Sequence, residues 1–167
     1  FVRFHVPEIF GFEGRAIYND VDQVWLTDPA ELFDRDMGHA GFLSINDHDT
    51  SVMLIDCKRM SGVWNREAVL GTTRKRIEAR ARAAGLWGEM PGRYNARDAE
   101  YVPGESACVH FTTLHTQPWR PLPEWFVYDR NPTGSLWFDL EREADEAGFM
   151  PVSALRPSSA WPEAALR

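Results

Sequence analysis

The chain has 167 residues, enough for one domain or part of a larger one, and its 44% hydrophobic and 26% charged residues are typical of a globular protein. Its net charge is −7 and its basic residues are scattered, which argues against the basic footprint of a nucleic-acid-binding protein. No apolar run is long enough to span a bilayer and no secretory leader is visible, so we expect a cytoplasmic protein without a membrane span.

The first part of the chain contains short apolar runs that polar turns separate. These runs predict, in chain order, a helix over Val2–Phe10, strands over Arg15–Tyr18 and Val24–Leu26, a helix over Ala30–Phe33, and strands over Gly41–Ile45 and Ser51–Ile55. Gly11 and Gly14 end the first helix, because glycine breaks a helical pattern. Thr27–Pro29 begins the second helix with a capping residue and a proline. Because the chain opens on Phe1 inside a helical pattern, we expect it to begin within a larger domain.

The second part of the chain predicts longer helices and a proline-containing end. Its elements are an exposed helix over Arg66–Ala84 that ends at Gly85, a loop over Glu89–Pro103, a strand over Ala107–Thr112, a helix over Leu136–Ala147 and a tail over Pro151–Arg167. Cys57 and Cys108 lie in apolar stretches typical of strands, which predicts buried thiols rather than a disulfide. Strands that alternate with helices indicate an α/β fold.

Two carboxylates directly after the first strand are the most informative feature of the sequence. Asp20 and Asp22 stand at positions i and i+2, where the strand gives way to a loop, so both can reach one hard cation. A divalent ion at that place neutralises the charge of a diphosphate leaving group as its bond breaks. Asp-x-Asp pairs are also common by chance in acidic proteins, and the alternative for an isolated pair is a solvated turn.

The sequence around this pair resembles the retaining glycosyltransferases of family 8, the group of glycogenin and bacterial lipopolysaccharide galactosyltransferases. In that family a strand delivers an Asp-x-Asp motif, and a helix beginning near D-x-x-E-L follows, as DPAELF does here. The opening FVRFHVPEIF resembles a family helix whose arginine helps hold the phosphate and sugar of the donor. The resemblance implies this donor-binding role for Arg3, and the alternative is a surface cation on a helix.

Two later segments extend the resemblance in the same order. Residues Asp49–Ile55 resemble a family strand whose polar opening contacts the donor sugar, which implies donor contacts for Asp49 and Ser51. Asp49 stands where the family usually has Asn, Ser51 stands where it has Gly, and the alternative for Asp49 is that it closes a turn. Pro91–Asn95 resembles the family segment written l-p-x-x-y-N.

The last resemblance lies at VHFT and QPW, which look like a late family motif whose histidine is the third metal ligand. This implies that His110 joins the acidic pair, although it lies 88 residues beyond Asp22, so only folding can bring the two together. The alternative is a hydrogen-bonded core histidine. Gln117 is nearest to the family lysine that pairs with the diphosphate, and Arg120 is a candidate for the missing charge.

The resemblance implies a GT-A-like mixed sheet flanked by helices, in an incomplete Rossmann-like domain. The family's first βαβ unit, which holds the nucleotide, has no counterpart, and no D-Q-D-like segment occurs between Met60 and Pro91. We expect residues 1–120 to be the catalytic region and 121–167 to be a C-terminal helix and tail. The implied cofactor is Mn²⁺ or Mg²⁺, the donor is a nucleotide-sugar such as a UDP-sugar, and the acceptor is a glycan, a lipid-linked sugar or a protein.

Two alternatives remain open from the sequence. A truncated or degenerate transferase domain would bind a metal or a sugar without turnover. A haloacid dehalogenase-like phosphatase would use Asp20 as nucleophile and Asp22 as general acid and base. That chemistry also needs a later lysine, and the only lysines, Lys58 and Lys75, do not precede an acidic strand end.

Overall fold

The computed structural model describes residues 2–120 and 122–148. The chain divides into two compact units, residues 1–113 and residues 114–167. The first unit contains strands β1 (Arg15–Asn19), β2 (Gln23–Trp25), β3 (Phe42–Ser44), β4 (Val52–Asp56), β5 (Trp87–Glu89), β6 (Ala96–Arg97) and β7 (Cys108–His110), and helices α1 (Val6–Ile9), α2 (Ala30–Phe33), α3 (Cys57–Met60), α4 (Arg66–Val69) and α5 (Arg74–Ala83). Turns of 3₁₀ helix cover Val2–His5, Gly92–Asn95 and Asp98–Glu100.

The strands of the first unit form two mixed sheets. One sheet has the order β1-β4-β3-β5, in which β4 is antiparallel to both neighbours and β3 and β5 are parallel. The other has the order β2-β7-β6, in which β2 is antiparallel and β6 is parallel to β7. Mixed sheets accompanied by helices confirm the predicted α/β class.

Strand β4 is at the centre of the core. Its first four residues are at most 1% exposed, and they divide between two hydrophobic clusters. Met53 and Ile55 pack in the cluster that contains Trp64, while Val52 and Leu54 pack in the cluster on the other face. A strand buried on both faces has a continuous apolar sequence rather than an alternating one, which explains the run VMLI.

The predicted exposed helix over 66–84 is wrong in two respects. Helix α4 ends at Val69 and helix α5 begins at Arg74, because Leu70 is extended and Gly71 has a positive φ of 74°. Helix α5 also buries one face of its second turn, through Ile77, Glu78 and Ala81.

Other secondary-structure predictions near the sheets also need correction. Cys57 begins helix α3 instead of lying in a strand, because the Asp56 side chain accepts the Arg59 N–H and caps the helix. The predicted loop over 89–103 contains strand β6, whose two residues are too few to show a periodicity.

The second unit begins with a 3₁₀ turn over Leu114–Thr116 and contains helix α6 (Gly134–Glu146). This helix confirms the one predicted over 136–147, with boundaries shifted by one or two residues. The predicted tail over 151–167 lies outside the described residues. Within the described part of the chain, no helix has the length and apolar character needed to cross a membrane.

Both cysteines are free and buried, as predicted, and burial raises the pKa of Cys108 from 9.0 to about 12. We therefore expect neither thiol to react with an aromatic disulfide reagent in the native protein at pH 8, and both to react in concentrated guanidinium. Cys57→Ala identifies which thiol reacts. A native reaction as fast as the denatured one would contradict the burial.

The same shift predicts a loss of stability in alkali. The Cys108 thiol has a higher pKa in the folded protein than in the unfolded chain, so its ionisation favours unfolding. The contribution of the neutral thiol to stability is therefore fully present below the pKa of the unfolded chain and is lost as the pH rises toward 12. The free energy of unfolding measured in urea should therefore fall above about pH 8.5, and it should fall less in Cys108→Ala.

Candidate functional site

The pairing of β2 with β7 brings Asp22 to His110. Gln23 is the partner of His110 in this antiparallel ladder, and the Phe111 N–H donates to the Asp22 carbonyl at 3.0 Å, which continues the ladder by one step. The His110 Nε2 atom lies 3.2 Å from the Asp22 Oδ1 atom. The pairing of these two short strands thus makes neighbours of Asp22 and His110, which are far apart in the sequence.

Strand β1 delivers Asp20 to the same place. Its backbone N–H donates to the Ser51 carbonyl at 2.9 Å, which extends the β1–β4 ladder beyond the pair of Asn19 with Val52. One ligand atom from each of Asp20, Asp22 and His110 lies within 4.8 Å of the other two. The structure thus brings together the three predicted metal ligands.

The spacing of these atoms fits one divalent cation after a small adjustment. When a cation lies about 2.1 Å from each ligand atom, two ligand atoms at a right angle are about 3.0 Å apart, and two on opposite sides of the cation are about 4.2 Å apart. The 3.2 Å between His110 and Asp22 suits the first case. Two carboxylates and one imidazole are also a donor set that suits Mn²⁺ or Mg²⁺.

Two amide side chains connect the candidate ligands, and the sequence predicts no role for either. Asn95 is fully buried in the turn before β6, and its Oδ1 atom lies 2.9 Å from His110 Nδ1. Gln23 donates from Nε2 to the same Asn95 oxygen at 3.0 Å, and its Oε1 accepts the Asp20 N–H at 2.7 Å. The only signal in the sequence was for Asn95, which ends the segment 91–95 that resembles a family segment with Asn at that position.

Asp49 is linked to the candidate cation ligands through Asn95. Its Oδ1 accepts the Ser51 N–H at 2.8 Å, so it closes a turn, as the alternative interpretation held. Its Oδ2 accepts from Asn95 Nδ2 at 3.2 Å and lies 3.1 Å from the Arg97 guanidinium. Asp49 therefore orients Asn95, while the predicted contacts of Asp49 and Ser51 with a donor sugar stay a prediction.

Arg3 forms an ion pair with one of the candidate ligands. Its guanidinium lies 2.6 Å from Asp20 Oδ1, where the Tyr18 hydroxyl also donates at 2.7 Å. The guanidinium also lies 4.9 Å from the centre of the Tyr18 ring. Burial, followed by the hydrogen bond to Asp20, raises the pKa of Tyr18 above 10.0, so the hydroxyl remains a donor at neutral pH. Arg3 is thus a partner of the acidic pair, and its side chain is only 16% exposed.

Thr50 connects Arg3 to a buried carboxylate on helix α5. Its hydroxyl accepts from Arg3 at 3.1 Å and from Arg74 at 3.0 Å, and donates to Glu78 at 3.2 Å. Arg74 also lies 2.7 Å from the Glu78 carboxylate. This network explains why a charged residue is buried in α5, since each charge has a partner and hydrogen bonds.

In the second unit, Gln117 and Arg120 line a cavity of about 360 Å³. Arg130 and the first residues of helix α6 also line it. Gln117 is 8% exposed, so it is a buried amide rather than a surface residue. Its predicted role toward the donor diphosphate remains a prediction.

Removing the Thr50 hydroxyl tests the network around Arg3. We expect Thr50→Val to lower the free energy of unfolding by about 1–3 kcal/mol, because the valine keeps the size of the side chain and removes one hydrogen bond each from Arg3, Arg74 and the buried Glu78. Urea unfolding measures the change. Thr73→Val is the matched control, because Thr73 is exposed and its side chain does not cap α5. Equal effects of the two variants would contradict the network.

The sequence matches no protein-family model and no curated protein. Its fold is similar to that of the glycosyltransferase GlyE from Streptococcus pneumoniae TIGR4, with a TM-score of 0.61 and 14% identity over 96% of this chain and 49% of GlyE. It is also similar to the galactosyltransferase LgtC in complex with donor and acceptor sugar analogs, with a TM-score of 0.54 and 15% identity over 98% of this chain and 68% of LgtC.

A third similar structure is the bifunctional glycosyltransferase WbbM, with a TM-score of 0.57 and 10% identity over 71% of this chain and 32% of WbbM. The chain spans about half the length of GlyE and a third of that of WbbM. Identities this low show the fold alone. The predicted α/β fold of the GT-A-like glycosyltransferases is therefore confirmed.

Proposed function

We propose that the chain is part of a metal-dependent glycosyltransferase that transfers a sugar from a nucleotide-sugar donor, such as a UDP-sugar, with retention of configuration. The observation that carries the proposal is the convergence of Asp20, Asp22 and His110, whose ligand atoms lie within 4.8 Å of one another. The glycosyltransferase fold supports it. Membership of family 8 stays a prediction from the sequence resemblance alone, and a cytoplasmic location stays a separate prediction from the sequence.

Asp20, Asp22 and His110 would hold Mn²⁺ or Mg²⁺, and the imidazole favours Mn²⁺. When bound, the cation supplies positive charge that stabilises the diphosphate leaving group. The protein contributes the placement of the ligands, because three strands fix their backbone positions. It also limits the charge of the site, since the Arg3 guanidinium lies 2.6 Å from Asp20.

The proposed donor-binding residues are Arg3, Asp49, Ser51 and Gln117, as the resemblance implies. LgtC is described in complex with donor and acceptor sugar analogs, which supports a sugar donor and a sugar-bearing acceptor for this chain as well. A glycan, a lipid-linked sugar or a protein would serve as acceptor. Arg120 lines the same cavity as Gln117 and would provide a positive charge for the diphosphate.

The two alternatives differ in what supports them. A degenerate domain that binds a metal or a sugar without turnover would use the same residues, so only a measurement of transfer separates it from an enzyme. The phosphatase also requires a later lysine before an acidic strand end, and neither Lys58 nor Lys75 stands in such a place. The similarity to glycosyltransferases also favours transfer.

Calorimetric titration with Mn²⁺ alone tests the metal site. We expect the protein to bind one Mn²⁺ and Asp22→Ala to weaken binding by at least about tenfold, because loss of one charged ligand costs several kcal/mol of favourable interaction. Asp34→Ala is the matched control, since it removes an exposed carboxylate at the C-terminal end of helix α2. Equal affinities in wild type and Asp22→Ala would exclude this site.

A titration with a UDP-sugar in the presence of Mn²⁺ tests the donor site. We expect Arg120→Gln to weaken UDP-sugar binding by about tenfold, as expected when a charged hydrogen bond is lost, and to leave Mn²⁺ binding unchanged. Arg142→Gln is the control in the same unit, because Arg142 is exposed and pairs with Asp139. Release of UDP with formation of a glycosylated acceptor separates the enzyme from the degenerate domain.

A further inference from the structure

The contacts of Asn95 determine which way its side-chain amide points. Its Nδ2 atom lies 3.2 Å from Asp49 Oδ2, an oxygen that an ionised carboxylate can use only as an acceptor. The Arg97 guanidinium lies 3.1 Å from the same oxygen. Gln23 donates to Asn95 Oδ1 from the opposite side. The carbonyl oxygen of Asn95 is therefore the atom that faces His110.

This orientation determines the proton position on neutral His110. Asn95 Oδ1 only accepts hydrogen bonds, so the His110 Nδ1 atom, 2.9 Å away, must carry the proton. The Nε2 atom then presents a lone pair, and it points at Asp22 Oδ1 at 3.2 Å. Two acceptors that face each other at this distance repel unless a proton or a metal cation binds to both.

We propose that Asn95 is a positioning residue that holds neutral His110 in its Nδ1–H tautomer and so presents Nε2 to the cation. Asp49 and Arg97 orient the Asn95 amide, which gives Asp49 a role other than the donor contact that the resemblance implies. Gln23 ties the same Asn95 oxygen to the backbone of Asp20. The Asn95 oxygen thus contacts His110 of β7 directly and is linked through Gln23 to Asp20, which follows β1. The tautomer is independent of the proposed function, whereas its use for metal binding rests on it.

Nitrogen NMR of the full chain reads the tautomer directly. The metal-free protein is labelled with ¹⁵N-histidine, and long-range ¹H–¹⁵N spectra at a pH where the imidazoles are neutral distinguish Nδ1–H from Nε2–H. The spectrum of His110→Gln assigns the His110 signals by their absence. We expect Nδ1–H in the wild type. An Nε2–H tautomer would overturn the proposal.

Two variants test whether Asn95 is the cause. Asn95→Leu removes the acceptor at nearly constant size, and we expect His110 to shift to the Nε2–H tautomer with Asp22 as acceptor. Asn95→Asp combined with Asp49→Asn keeps an acceptor oxygen toward His110 without placing two carboxylates 3.2 Å apart, and we expect this double variant to retain Nδ1–H. Persistence of Nδ1–H in Asn95→Leu contradicts the role of Asn95. If Asn95→Leu does not fold, loss of Nδ1–H in the double variant contradicts it instead.

Calorimetry with Mn²⁺ alone links the tautomer to metal binding. We expect Asn95→Leu to weaken Mn²⁺ binding by about 10- to 100-fold, the usual effect of removing a partner of a ligating histidine. Asn65→Leu is the matched control, because it removes an amide that caps helix α4 away from the site. An unchanged affinity in Asn95→Leu overturns the link. Absence of Mn²⁺ binding in the wild type overturns the proposed metal function, while the NMR comparison still decides the tautomer.

Discussion

Antiparallel pairing of β2 with β7 is the constraint on which the candidate site depends. The pair of Gln23 with His110 places both side chains on one face of the sheet, because directly opposed residues of a ladder point the same way. A shift of β7 by one residue would turn His110 to the other face, away from Gln23. The adjacent pair of Val24 with Val109 helps to prevent such a shift, because Val109 is fully buried.

The sequence predicted those parts of the structure that local patterns encode. The strand before Asp20, the buried run of β4 and helix α2 follow from apolar runs and a helix start signal, and all three are present. The three candidate metal ligands were predicted from a family resemblance, and the structure brings them together. Their proximity could not have been derived from local patterns, since it depends on strand register.

The sequence did not reveal the residues that support the ligands. Asn95 and Gln23 are ordinary polar residues in the sequence, and their importance arises from the hydrogen bond that joins them across 72 positions. Glu78 belongs to a segment whose many charges indicate solvent exposure, yet Thr50 and Arg74 compensate its burial. Such networks form only when distant elements meet, so composition and periodicity do not reveal them.

The ion pair between Arg3 and Asp20 determines the net charge of the candidate site. Two carboxylates and one guanidinium sum to a single negative charge when His110 is neutral. A divalent cation would reverse that sum to a single positive charge, which suits a polyanion better than a water molecule as the next ligand. Because affinity for a hard cation depends on the number of charged ligands, the arginine would weaken retention of a bare ion at the proposed site. It would thereby couple the residence of that ion to the arrival of an anionic ligand.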